Sequence, residues 1–300
     1  MQFDPKKNQA LLAVIETGSF ELAAKKLHLT ASAISQRIQA MEEECGFPLV
    51  VRARPCRATL AGKKILLYLQ RSRWLENEFR AELSSSSDGW LSIPIAVNND
   101  SLGTWLLPGL TDFLQAQRIL LDITVDDQAH THTLLEEGLA LAGISSQSET
   151  IRGCVAEPLG IMRYRLLATP VFKQRWFPEG LTASAARQAP LLVFDRKDLL
   201  QWTLLEHELG VQREALPCHY VPGSEPFLQA VTLGIGYGLL PELQARSALE
   251  LGQFVELAPH APTDVMLYWH RWRVQSPKLE SLSAAIRAAA REWLLPAHPA

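Results

Sequence analysis

No run of this 300-residue chain approaches the roughly 18–20 uninterrupted apolar residues that a membrane helix needs. The opening Met1-Gln2-Phe3-Asp4-Pro5-Lys6-Lys7 lacks the charged-then-apolar order of a secretory signal, so no leader is expected. Only four cysteines occur (Cys45, Cys56, Cys154 and Cys218), with neither a CxxC pair nor zinc-finger spacing. That excludes a disulfide scaffold and points to a reduced, cytoplasmic setting. No serine sits in GxSxG and no Cys/His pair has a spacing that suggests nucleophilic catalysis, so an enzyme is not expected. Gly234, Gly236 and Gly238 follow a helical stretch and enter a strand, the reverse of the order that builds a phosphate loop, and fit close packing at a tight turn. His130 and His132 lie near Asp126 and Asp127 but lack a convincing fourth ligand, so no metal site is expected.

A strong overall positive charge is also missing: 29 Lys/Arg stand against 32 Asp/Glu, a net charge of −3. The balance is uneven along the chain. Residues 1–67 carry ten Lys/Arg and six Asp/Glu, a local +4, which leaves −7 for the remainder. Phosphate binding depends on local positive charge, so a basic head on an acidic body fits a DNA-binding module joined to one that stays off the DNA. With 47% hydrophobic and 20% charged residues, the chain has material for about two packed domains.

The first sixty residues carry three short helical patterns. Leu11, Leu12, Val14 and Ile15 form one apolar face closed by Gly18. Ser19 caps a second helix with Phe20, Ala23, Ala24 and Leu27 at helical spacing, and its paired alanines admit a close crossing. Thr30 caps a third, with Ala31, Ile34, Ile38, Met41 and Cys45 inward and Ser32, Ser35, Gln36, Arg37 and Gln39 on the opposite face. Helix, tight turn, then a helix with a hydrogen-bonding outer face is the helix-turn-helix arrangement; an ordinary three-helix subdomain with a hydrated polar face is the competing description. Arg52, Arg54 and Arg57 follow on a short extended segment, which makes a wing able to lie along the DNA backbone or minor groove. The expected DNA contacts are Thr30, Ala31, Ser32, Ser35, Gln36, Arg37, Arg52, Arg54 and Arg57.

The set Gly18-Ser19-Phe20, Ala23-Ala24, Leu27, Thr30, Ser32 to Ile38, Glu42, Gly46, Leu49, Arg52, Arg54, Thr59 and Ala61-Gly62 resembles the head of the LysR-type transcriptional regulators. The resemblance implies an α/β architecture: a winged helix-turn-helix (1–58), a linker helix and hinge (59–89), and a two-lobed periplasmic-binding-protein-like effector domain (90–300). Lobe I then covers about 90–164 and 266–300, and lobe II about 165–265. Ala31 departs from the glutamine that many members carry there, which moves base readout toward Ser32, Ser35, Gln36 and Arg37.

Ala61, Ile65, Tyr68, Ser72, Leu75 and Phe79 step by four and three residues, a heptad-like seam. Such a seam either pairs with a second copy, to give a homodimer or homotetramer, or packs on its own body. The run Ser84-Ser85-Ser86-Ser87-Asp88-Gly89 is the clearest domain break. Beyond it, strands over 91–97, 120–125 and 140–144 alternate with helices over 102–114 and 131–137. A second block begins near 165, runs through strands at 191–194 and 218–221, and ends with a strand at 266–270 and a helix over 277–295. The alternation predicts parallel sheet with a ligand cleft at the carboxyl ends of strands. Candidate cleft residues are Asn99, Ser101, Asp126, Asp127, Ser145, Asp195 and Glu225. Ser101 either holds an anion or merely caps its helix, and each acid either meets a cation or serves as a hydrated turn residue. Carboxylates at one end of a cleft and an anion site at the other suit a basic amino acid.

Residues 96–108, Val193-Phe194-Asp195, Pro217-Cys218-His219, Ser224-Glu225-Pro226-Phe227 and Met266 to Arg271 resemble the lysine- and arginine-sensing ArgP/LysG branch. This implies an activator of basic amino-acid export or metabolism genes that answers lysine or arginine, with operator DNA, a second copy and RNA polymerase as partners and no further cofactor. Two alternatives stay open at this stage: a LysR-type regulator of another pathway with a different effector, and a small-molecule enzyme or binding protein on a two-lobed α/β fold.

Overall fold

The computed structural model describes residues 4–83, 90–125, 131–136, 139–151 and 153–297. The expected hinge at 84–89, together with Asp126, Asp127 and His130, lies outside the described residues. The chain forms two compact units, Met1–Ala96 with Arg118–Thr124 and His132–Ala142, and Val97–Gln117 with Val125–Thr131 and Gly143–Ala300. Among the described residues, no helix is long and apolar enough to cross a membrane.

The first unit opens with α1 (Pro5–Thr17), α2 (Phe20–Leu27) and α3 (Ala31–Cys45). Each begins where a short polar side chain takes up orphan helix N–H groups. Asp4 accepts from Lys6 N at 2.7 Å, Ser19 from Glu21 N at 3.2 Å, and Thr30 from Ala33 N at 3.1 Å. Gly18 and Gly46 end α1 and α3 in the left-handed conformation that a glycine adopts without strain. Ala23 and Ala24 of α2, Ile34, Ile38 and Met41 of α3, and residues 10–14 of α1 share one core. A two-stranded wing follows, β1 (Val50–Val51) antiparallel to β2 (Arg57–Ala58). The long helix α4 (Leu60–Leu83) then drives Ile65, Leu66 and Leu69 into the same core. Gly62 permits this approach, because a Cβ there would stand 2.1 Å from the Leu49 carbonyl oxygen.

The seam expected along α4 divides in two. Ala61 and Ile65 pack against the head, whereas Tyr68, Leu75 and Phe79 remain more than half exposed, with Ser72 half-buried between them. The outward part therefore starts at Tyr68 and keeps the four-three-four step.

After α4 come β3 (Leu91–Val97), α5 (Asn99–Ser101), a π-helical turn (Leu102–Leu106), α6 (Leu107–Ala116), β4 (Ile119–Val125), α7 (Thr131–Glu136), β5 (Ala142–Ser145) and β6 (Cys154–Ala168). The chain continues through α8 (Pro170–Trp176), α9 (Ala183–Ala186), β7 (Leu191–Val193), α10 (Leu200–Leu209), β8 (Cys218–Tyr220), α11 (Ser224–Thr232) and β9 (Gly238–Pro241). It closes with α12 (Glu242–Glu250), β10 (Val255–Glu256), β11 (Thr263–Trp272) and α13 (Pro277–Trp293). In the first unit β3 neighbours β4.

The second unit is organised on β6, and β11, β9 and β10 all pair with it antiparallel, a departure from the parallel pairing that the alternation predicts; β7 and β8 do pair parallel. The first half of β6 escaped the sequence reading because Pro158 and Gly160 are poor strand residues. In the structure they sit at a register shift, with Gly160 opposite Leu267 and Pro158 opposite Tyr268. A Cβ at Gly160 would stand 2.8 Å from both Leu294 Cβ and Leu295 O, so the glycine lets the end of α13 lie against the strand. Gly109 does the same for α6, where a Cβ would come within 2.6 Å of Ala289 Cβ on α13.

The division of labour along α3 is testable by equilibrium urea unfolding. Ile38→Ala removes a fully buried side chain and is expected to cost about 2–5 kcal/mol. Gln36→Ala, on the exposed side of the same helix, is expected to stay within about 0.5 kcal/mol of the parent.

Candidate functional site

Two surfaces carry chemistry, one in each unit. In the first, α3 presents Ser32, Gln36 and Gln39 to solvent, with Ala31, Ser35 and Arg37 half-buried beside them and Thr30 exposed at the cap. Ala31 and Ser35 line a groove that also takes in Ser19, Glu21, Leu22, Arg52 and Arg54. The wing and the polar face of α3 therefore border one concavity. Arg52, Arg54 and Arg57 are all exposed, and the Arg52 guanidinium stands 5.2 Å from the Phe20 ring centroid.

Three contacts hold the wing in this place. Cys56 N–H donates to Gly18 O at 2.8 Å, and a Cβ on Gly18 would meet Pro55 Cβ at 2.9 Å. Glu42, near the end of α3, accepts from Leu49 N at 2.7 Å and Val50 N at 3.2 Å. Thr59 donates its hydroxyl to Pro48 O at 2.8 Å and accepts from Gly62 N at 2.9 Å, joining the wing to the start of α4. Sequence reading placed the arginines on the wing, but it offered no account of Gly18, Glu42 and Thr59 as the residues that aim it.

The second unit encloses a cavity of about 580 Å³. Asn98, Asn99 and Asp100 supply one wall after β3, and Ser146 and Gln147 another after β5. The 194–201 loop, Ser224, Gln244 and the first residues of β11 complete it. Four carboxylates line the space (Asp100, Asp195, Asp198 and Asp264), against one cationic side chain, Lys197, among the described lining residues. Such a lining favours a ligand with positive charge.

Each acid is held differently. Asp195 Oδ1 accepts from Lys197 N at 2.6 Å and Asp198 N at 2.9 Å, which folds the loop back on itself. Asp198 accepts from Leu200 N, Phe194 N and the Gln201 amide, at 2.8 to 3.3 Å. Burial nonetheless pushes its carboxyl above the ordinary aspartate range. Asp264 is gripped bidentately by Arg163, both nitrogens at 2.7 Å, and this raises the guanidinium further. Asp100 receives the Tyr164 hydroxyl at 2.6 Å. Burial lifts the Asp100 carboxyl, opposed by hydrogen bonds from Tyr164 and Ser224. The same burial, with the neighbouring Asp100 charge, lifts the Tyr164 phenol well above its usual value, so it stays a donor.

Among the residues expected in the cleft, Asn99 and Asp195 line the cavity. Ser101 and Ser145 are fully buried and do not line it; Ser145 Oγ lies 3.1 Å from His270 Nε2 and accepts from Gln147 N at 3.2 Å. Glu225 is exposed and also off the cavity, because the start of α11 turns its neighbour Ser224 inward instead. Asp126 and Asp127 lie outside the described residues. Among the polar lining residues that sequence reading missed are Asp198, Asp264, Lys197, Tyr164 and Gln244. Lys197 and Asp198 adjoin Asp195 in an Asp-Arg-Lys-Asp run, a readable signal. Tyr164, 64 residues from its partner Asp100, gave none.

Comparison with known proteins places both units. Residues 6–63 match the family described as bacterial regulatory helix-turn-helix protein, lysR family, and residues 92–291 match the LysR substrate binding domain. The chain is 37% identical to the HTH-type transcriptional regulator ArgP of Aeromonas salmonicida over 98% of both chains. It is 41% identical to the regulator LysG of Mycobacterium bovis, over 96% of this chain and 94% of that one. Among solved structures, ArgP from Mycobacterium tuberculosis superposes with a TM-score of 0.85 at 40% identity, covering 99% of this chain and 100% of that chain. Full-length LysG from Corynebacterium glutamicum with bound effector Arg superposes at 0.78 and 34% identity, covering 98% and 100%. With a winged head, an acid-lined cavity and family matches to both, this chain belongs to the LysR family of DNA-binding transcriptional regulators.

Proposed function

We propose that the chain is a cytoplasmic regulator, and not an enzyme, that binds operator DNA through α3 and its wing and answers a basic amino acid, arginine or lysine, held in the cavity of the second unit. The observation that carries this reading is the cavity's acidic lining: Asp100, Asp195 and Asp198, beside an Asp264 already paired with Arg163, against one lysine. Its chemistry matches the arginine bound by the Corynebacterium relative. An amino acid of this class carries a cationic side chain for the carboxylates and an α-carboxylate for Lys197, which is exposed at the cavity's edge. Ligand in the cavity then shifts the population of head arrangements, altering the bend of the operator rather than its base contacts. RNA polymerase is the downstream partner that such a device addresses.

We further propose a homodimer joined along α4. Tyr68, Ser72, Leu75 and Phe79 offer an outward apolar stripe at heptad spacing, which a second copy would cover. Pairing sets two third helices on half-sites about one DNA turn apart.

Calorimetry is expected to show saturable binding of L-arginine and L-lysine and none of L-norleucine or L-glutamate. Lys197→Met should weaken arginine binding and remove the protein's preference for arginine over agmatine, the same cation without its carboxylate; a preserved preference would move the carboxylate site elsewhere. By fluorescence anisotropy on the chain's own upstream DNA, Gln36→Ala or Arg37→Ala should lose about 1–3 kcal/mol of specific binding. Arg54→Ala should weaken all duplexes alike and lower the salt slope by about one. In sedimentation, Leu75→Asp with Phe79→Asp is expected to yield monomers, and an unchanged dimer would place the interface off α4.

A further inference from the structure

We propose that Asp100 is the carboxylate that takes the effector's positive charge, and that the effector enters by displacing a proton from the Asp100–Tyr164–Ser224 cluster. This rests on the basic-amino-acid reading above and names the residue and the proton linkage within it.

The four acids of the cavity are not equivalent partners for a cation. Asp264 already has a guanidinium, with two nitrogens of Arg163 at 2.7 Å. Asp195 and Asp198 spend oxygens on the backbone N–H groups that shape their own loop. Asp100 differs from these: Tyr164 from β6 donates its hydroxyl to it at 2.6 Å, and Ser224 at the head of α11, whose hydroxyl donates to Gln244 Oε1 at 3.4 Å, stands close enough to favour its charged form. Among the described residues no cationic side chain pairs with it. Gly103 lets Ser224 come this near, since a Cβ there would stand 3.2 Å from Ser224 Oγ.

A second feature of the same wall asks for a donor-rich ligand. Asn98 is nine-tenths buried, lines the cavity, and its Oδ1 takes no hydrogen bond from the described residues. A buried acceptor left unmet is costly. A guanidinium or ammonium group would supply N–H donors to Asn98 Oδ1 and a full positive charge to Asp100.

The proton balance follows from the groups that face Asp100. Tyr164 on β6 is held protonated, Ser224 on α11 is neutral, and Asp198 from the 194–201 loop adds negative charge. Asp195, Asp264 and Lys197 occupy the rest of the lining. Burial and Asp198 both shift the Asp100 carboxyl toward its neutral form. Where the carboxyl is protonated, an arriving cation sends its proton to solvent and pairs with the resulting carboxylate. Affinity must then rise with pH through the titration of Asp100 and level off above it.

The test is calorimetry of L-arginine binding to the full chain in two buffers of different ionisation enthalpy, from about pH 5 to about pH 8. Buffer-dependent heat that reports proton release at the acid end, and fades toward the alkaline end, is the expected result. Asp100→Asn should abolish that release and weaken arginine about a hundredfold, as removal of one partner of a buried ion pair does. Tyr164→Phe deletes a hydrogen bond that favours the carboxylate, so it should keep the release but move it to higher pH. Asp195→Asn should leave the release in place. Buffer-independent heats in the wild-type protein at every pH would overturn the inference alone, as would loss of the release in Asp195→Asn with retention in Asp100→Asn. Absence of arginine and lysine binding to the wild-type protein would overturn both the basic-amino-acid reading and this one.

Discussion

The burial of Ile34, Ile38 and Met41 on one side of α3 orients every polar residue on the other side. A helix whose apolar stripe is locked against α1, α2 and α4 cannot rotate about its axis without exposing that stripe, at a cost of roughly 1.5–3 kcal/mol for each large side chain. Ser32, Gln36 and Gln39 are therefore held outward, and Ala31 and Ser35 line the groove beside them. The wing is fixed by the same economy of contacts. Glu42 ties it to α3, Gly18 to the α1–α2 turn and Thr59 to α4, so the arginines share a frame with the recognition helix. Preorganisation of this kind lowers the ordering cost of binding.

Opposite charges are assigned to different parts of the chain. The head gathers the positive charge that phosphate binding needs, while the second unit surrounds a cavity with carboxylates. A cavity of this type selects ligands by charge before shape, and within it Asp264 is already paired with Arg163 while Asp100 is held by the Tyr164 hydroxyl. Binding energy and protonation state are then coupled through one buried group.

Much of the head was legible because its signals are local. Caps at Asp4, Ser19 and Thr30, glycines at Gly18 and Gly46, and a 3.6-residue apolar period lie within a few residues of the elements they control. The seam on α4 was half legible: periodicity marks an apolar face, but not that Ala61 and Ile65 are taken by the head core while Tyr68, Leu75 and Phe79 are more than half exposed. In the second unit most strands were found, but the antiparallel pairing around β6 was not. Pairing of β6 with β11 joins residues about a hundred positions apart, and Pro158 and Gly160 disguise the strand that organises it. The cavity shows the same limit. Strand-end position brought out Asn99 and Asp195, yet it could not separate Ser224, which faces the cavity, from Glu225, which does not, because the turn of α11 decides between adjacent residues.

We propose that DNA is met at the outer face of α3 and the wing, and ligand at a separate cavity. Amide hydrogen exchange on the full chain tests it directly, with the protein's own upstream duplex added in one arm and L-arginine in the other. The duplex is expected to protect residues 30–37 and 52–57 and to spare 98–101 and 194–201, and arginine to protect the second set. Protection of 194–201 by DNA, or an unaltered 30–37 in the bound complex, would contradict it.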